Sequence, residues 1–266
     1  MPGELLLRAA SATSACGGCS SSKPQPQCLR RRPLLDAVIG RRAYRATLAR
    51  VPLEPGILAR GPWAQEHVGA RWREEAYEPS PRFTRAADDA IAALLDRGSP
   101  SHDGMAARLA GFTVADGRLE LELQPIRWSL RLVEEDASSS LAALCIARDS
   151  EGRWLAGRRA AWLASWPGRW ALGAGGAVEV GENPAETLAR ELEEEWAVAP
   201  ERLSVEALIC LPNRSTMLIG QAWLADGTQV DRDREHDAHA WWPADVKAWP
   251  PEADPVLRRM ARLLGT

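Results

Sequence analysis

Glu191, Glu194 and Glu195 follow one another at spacing i, i+3, i+4, which on a helix sets three carboxylates on one face. Like charges at that spacing repel, so a helix held only by its own contacts avoids the arrangement. A hard divalent cation reverses the balance, because Mg²⁺ takes carboxylate oxygens together with the oxygens of a phosphate. The pattern points to a magnesium site that receives a diphosphate. His102, His236 and His239 need no part in it, since such a cation prefers oxygen to nitrogen.

The spacing matters only if the segment is helical, and its neighbours supply the signals. Asn183 is a good N-cap, Pro184 suits the first turn, and Glu186 stands where a capping box wants it. From Ala185 to Val198 there is no Gly and no further Pro, and Pro200 stops the run. Ala185, Leu188, Ala189, Leu192 and Trp196 fall on one side of such a helix. The acidic residues occupy the adjoining arc, where they can face a cleft. Arg190 can reach Glu194 one turn on, and the glycines from Gly173 to Gly176 let backbone approach a ligand closely.

These residues resemble the Nudix box, matching it at Gly176, Glu182, Arg190, Glu191, Leu192, Glu194, Glu195 and Val198. Ala197 stands where the family usually has Gly, and Ala174 where it usually has Pro. The resemblance implies a Nudix α/β/α sandwich, a mixed sheet between helices, and Mg²⁺-dependent (or Mn²⁺-dependent) hydrolysis of a nucleoside diphosphate linked to another moiety. It also implies Glu191, Glu194, Glu195 and the Gly176 carbonyl as metal ligands, Arg190 as the group orienting a glutamate, and Glu182 as a further ligand or structural partner. The general base sits either in the box or in a later loop, and in that loop Glu235 is the candidate. A catalytically weak domain that senses a nucleotide is the rival reading.

Substrate contacts are less sharply marked. Arg158 and Arg159 end an expected strand and can bind phosphate, and Gly175 offers close backbone. Residues 102–133 faintly resemble the upstream portion of nucleotide-sugar (UDP-sugar) cleaving Nudix proteins. The twelve Trp read mainly as core or cleft wall.

Residues 1–50 carry eight Arg and one Lys against Glu4 and Asp36; with a net charge of −3 for the chain, this leaves the remainder at −10. An acidic remainder suits a metal enzyme with a small-molecule nucleotide substrate and argues against a nucleic-acid surface. No apolar run is long enough for a membrane span, and a cytoplasmic protein is expected, with a homodimer as one assembly open to it. Residues 1–33 read as a disordered basic tail whose Cys16, Cys19 and Cys28 lack a fourth zinc ligand, and Cys145 and Cys210 as buried, reduced thiols.

Residues 34–137 read as a subdomain with a helical part and a β-hairpin. Helices are expected at 63–77 and 83–97, and the hairpin over 105–114 and 118–123 about Asp116 and Gly117. Residues 138–266 read as the Nudix domain, with strands at 141–147, 154–158, 203–211, 217–224 and 238–242 and a closing helix at 255–264.

Overall fold

The computed structural model describes residues 53–100 and 103–264. The tail, its three cysteines and His102 lie outside the described residues. Among the described residues, eleven strands and three α-helices make a mixed α/β fold. The strands are β1 (Gly56–Ala64), β2 (Val68–Trp72), β3 (Met105–Ala115), β4 (Arg118–Arg127), β5 (Leu141–Arg148) and β6 (Trp154–Arg159). They continue with β7 (Trp170–Leu172), β8 (Ala174–Ala177), β9 (Arg202–Cys210), β10 (Thr216–Trp223) and β11 (His236–Trp242). The helices are α1 (Pro81–Asp96), α2 (Pro184–Trp196) and α3 (Pro255–Leu264).

The large sheet runs β1-β9-β10-β5-β6-β11, with β7 paired to β6 and β8 to β5. It is mixed: β5 and β10 are parallel, while β1–β9, β9–β10 and β6–β11 are antiparallel. Alternation along β5 shows why helices cover both faces. Ala143, Cys145 and Ala147 pack with Leu188, Leu192 and Trp196 of α2, whereas Ile146 packs with Leu257 and Ala261 of α3. The expected α/β/α sandwich is therefore present. A second sheet, β2-β4-β3, turns Leu109, Leu119, Leu121 and Leu123 into the α2-side core. Helix α1 packs through Ala87 on Ile126 and Leu130. Cys145 and Cys210 are both buried free thiols.

The helix expected at 63–77 is not formed. Residues 56–64 are instead a strand on β9, and residues 68–72 pair in parallel with β4. One local feature disfavours helix there: Gly69 lies within the run. In the observed pairing its missing Cβ leaves room for the Glu120 carboxylate of β4, which a Cβ would approach within 2.2 Å. The partners that make these residues strands lie far downstream, so apolar spacing alone misreads them. Strand β1 falls in the segment read as N-terminal subdomain, yet it is hydrogen-bonded into the large sheet.

Helix α2 starts and stops as its sequence dictates. Asn183 Oδ1 accepts the Ala185 N–H at 3.0 Å, and Pro184 takes the first turn. At the other end Ala197 adopts the left-handed conformation, φ 54° and ψ 37°, and its N–H donates to the Glu193 carbonyl. A side chain there is strained, so Ala197→Gly should stabilise the protein by roughly 1 kcal/mol. Urea unfolding checks this; a midpoint lower than that of the parent would contradict the strained cap.

Candidate active site

Helix α2 presents its acidic arc to a cleft of about 630 Å³ bounded by β5, β8 and the loops at residues 159–166, 211–217 and 234–235. Glu191, Glu194, Arg190, Gly175, Gly176, Arg159 and Glu235 all line it. The structure thus gathers most of the residues singled out in the sequence.

Glu191 and Glu195 are buried, at 7% and 4% exposure, whereas the Glu194 side chain is 57% exposed. Gly176 allows this packing, because a Cβ there would stand 2.3 Å from Glu191 Oε1. Glu195 Oε1 accepts the Gly175 N–H at 2.9 Å. Its Oε2 is buried without a hydrogen-bond partner among the described residues.

Arg190 organises the acidic arc. Its Nε–H donates to Glu182 Oε1 at 2.8 Å, its Nη1 to Glu194 Oε2 at 2.8 Å, and its Nη2 lies 2.9 Å from Glu191 Oε1. Glu182 also accepts the Glu179 N–H at 3.1 Å. Burial pushes the Glu182 carboxyl upward, but the hydrogen bonds from Arg190 and Glu179 outweigh it and hold the group below its usual range. Glu182 therefore serves as the anchor for Arg190.

The deeper carboxyls behave oppositely. Burial raises Glu191 to about 7 despite Arg190 beside it, with the charges of Glu194 and Glu235 adding to the rise. Burial also lifts Glu195 well above the usual range, with a contribution from Glu191, and burial raises Glu235. Glu191, Glu194 and Glu195 on one helix face, two of them buried and one with an orphaned oxygen, are by their chemistry a donor set a hard cation fits. As the side chains stand, no three His, Cys, Asp or Glu among the described residues converge closely enough to hold a metal ion. The donors match in chemistry; their convergence needs side-chain movement.

Two expected substrate contacts are placed differently. Arg158 lies outside this cleft, paired with Asp237 at 2.6 Å beside Trp170 and Glu252. Successive strand residues face opposite ways, so of two adjacent arginines only Arg159 enters. Gly175 lines the cleft, but its N–H is taken by Glu195 rather than left for a ligand.

Sequence reasoning missed two groups at the site. His236 is 1% exposed, stacks on Trp196 at 4.4 Å, and sets Nε2 3.7 Å from Glu195 Oε2. Burial, helped by the charge of Arg159, pushes it down to about 4, so it backs Glu195 as a neutral ring. Arg131, from the 3₁₀ turn Trp128–Leu132, also lines the cleft. Nothing local marks Arg131; it lies on the turn that follows β4, next to β3, which itself contacts β5.

Residues 139–264 match the family model described as the NUDIX domain. No curated protein matches the chain. Among solved structures it is similar to the MutT protein from Methanosarcina mazei Go1, at 20% identity over 46% of this chain and 90% of that one, with a TM-score of 0.39. It is also similar to the NUDIX domain of Shewanella oneidensis NrtR complexed with ADP ribose, at 22% identity over 48% and 88%, with a TM-score of 0.39. A C. elegans Ap4A hydrolase is 17% identical over 47% and 94%, with a TM-score of 0.37. Among the described residues no helix is long and apolar enough to cross a membrane.

Proposed function

We propose that the protein hydrolyses the pyrophosphate linkage of a nucleoside diphosphate joined to another moiety, a nucleotide sugar among the candidates, releasing a nucleoside monophosphate. The carrying observation is the pair of buried carboxyls on α2, Glu191 on the cleft wall and Glu195 behind it, both held above their usual range chiefly by burial. Glu191, Glu194, Glu195 and the Gly176 carbonyl are the groups that would hold Mg²⁺ or Mn²⁺. When bound, the cation neutralises the diphosphate and makes the attacked phosphorus more electrophilic.

The chain's own residues supply the rest. Arg190, anchored by Glu182, fixes the direction of Glu191 and Glu194. Glu235 is the general base: burial raises its affinity for a proton, and it lines the cleft across from α2. Arg159, its Nη2 3.9 Å from Glu235 Oε2, offers a cation to the substrate.

A second reading, a weakly active Nudix domain that senses a nucleotide, draws on one observation. Arg190 already occupies Glu194, and no three acidic groups converge among the described residues. Turnover separates the two. With Mg²⁺ and a panel of nucleotide sugars, dinucleotides and nucleoside triphosphates, the wild type should release a nucleoside monophosphate. Glu194→Gln should then lose ten- to hundredfold in rate, on the order expected for a weakened metal site. Equal trace activity in both proteins would sink the hydrolase reading in favour of the sensor.

A further inference from the structure

Arg131 lies outside the segment matched as a Nudix domain, on the turn that follows β4, yet its side chain reaches the catalytic cleft. It rests against Trp128, with the guanidinium 5.4 Å from the ring centroid, and forms no hydrogen bond or ion pair with any described residue. A guanidinium carries five donors, and burying them unmet is costly. Desolvation is what chiefly weakens its hold on its proton; the charges of Glu191 and Glu235 oppose this and that of Arg159 adds to it, so a second cation shares the wall. Arg234 joins them from the opposite loop, 5.9 Å from the Trp162 ring centroid and likewise without an ion pair among the described residues. Arg159 is partly partnered, its Nε–H donating to the Ser165 carbonyl at 2.9 Å and its Nη2 3.9 Å from Glu235 Oε2, while Glu194 is bound by Arg190. Arg131 and Arg234 are the guanidiniums left without such a partner among the described residues.

We infer that Arg131, Arg159 and Arg234 form an anion subsite facing the acidic helix, and that the substrate places there a phosphoryl group beyond the two nearest the carboxylates. This rests on the hydrolase reading and sharpens it: the favoured class is a nucleoside triphosphate or dinucleoside polyphosphate rather than a diphosphate capped by a neutral sugar. A volume of about 630 Å³ accommodates such a ligand. The segment before residue 139 then belongs to the substrate site, since it supplies the unpartnered guanidinium and the Trp beneath it.

Two measurements on the full chain test this, with Arg131→Gln and Arg131→Lys confirmed as folded by circular dichroism. In the first, calorimetry follows binding of inorganic tripolyphosphate to metal-free protein. The wild type should bind, with Kd raised about tenfold or more in Arg131→Gln and partly restored in Arg131→Lys. In the second, kinetics compare a nucleoside triphosphate with a nucleotide sugar bearing a neutral sugar. Arg131→Gln should raise KM for the triphosphate by a similar factor, and raise KM for the sugar nucleotide several-fold less. Unaltered tripolyphosphate binding, or equal losses on both substrates, would overturn the subsite. If no nucleotide is turned over, the hydrolase reading fails by itself and the calorimetry still decides the subsite.

Discussion

Replacing Glu191 by Gln should raise the stability of the metal-free protein at pH 8 while lowering hydrolysis on the order of a hundredfold or more. Burial raises the Glu191 carboxyl to about 7, so above that pH the folded chain carries a charge it would rather lose. The sign follows from proton counting. Between about 4.5, the unfolded value, and 7 the native state binds the extra proton, so stability falls as pH rises through that window and stays low above it. Gln keeps the shape without the charge, and should add roughly 1–3 kcal/mol above pH 7 and little near pH 5. His236 works the other way. With a native value of about 4 it favours the folded state as pH rises from 4 toward 6.5, so the wild-type curve alone mixes the two effects. The difference between wild type and Glu191→Gln isolates the carboxyl. Melting temperatures from pH 5 to 8, without metal and then with Mg²⁺, measure it. A variant less stable than wild type at pH 8 would mean that Glu191 is held by Arg190 as an ordinary structural ion pair.

Trp196→Ala should cost about 3–5 kcal/mol, the range for emptying a large buried aromatic site. Trp196 is fully buried at the end of α2, its Nε1–H donates to the Gly173 carbonyl at 3.1 Å, and its face supports His236. One side chain thus ties the acidic helix to the loop that leads into Gly175 and Gly176. Trp196→Phe keeps most of the packing and strands the Gly173 carbonyl, for about 1–2 kcal/mol. Denaturant unfolding of both variants separates the two contributions. A loss below about 1 kcal/mol in the Ala variant would show that the helix end is secured elsewhere.

How much of this could be read beforehand depended on how local the information was. The motif from Gly176 to Val198 carries its own cap, apolar stripe and charges within one helix and its entry loop, so α2 and its acidic arc were legible residue by residue. Strands 141–148, 202–210 and 216–223 were legible for a similar reason, each being an apolar run ended by turn residues. Residues 56–72 were not, because β9 and β4 decide their conformation and lie far along the chain. Arg158 and Arg159 were indistinguishable in sequence; the pleat of β6 chose between them. His236 was set aside in the sequence because a hard cation prefers oxygen, and only the fold sets it against Trp196 and Glu195. Arg131 had no signal at all, since only the stacking of two sheets brings it to the cleft.

The placement of β1 bears on how this protein can be handled. It caps the outer margin of the large sheet, pairing with β9 from Gly56↔Cys210 to Ala64↔Ser204. A fragment trimmed to residues 139–264 would strip that margin, exposing a row of unmet amide and carbonyl groups along an apolar ribbon. Such a fragment invites edge-to-edge stacking of its own copies, so a minimal version of the large-sheet unit has to begin upstream of Gly56.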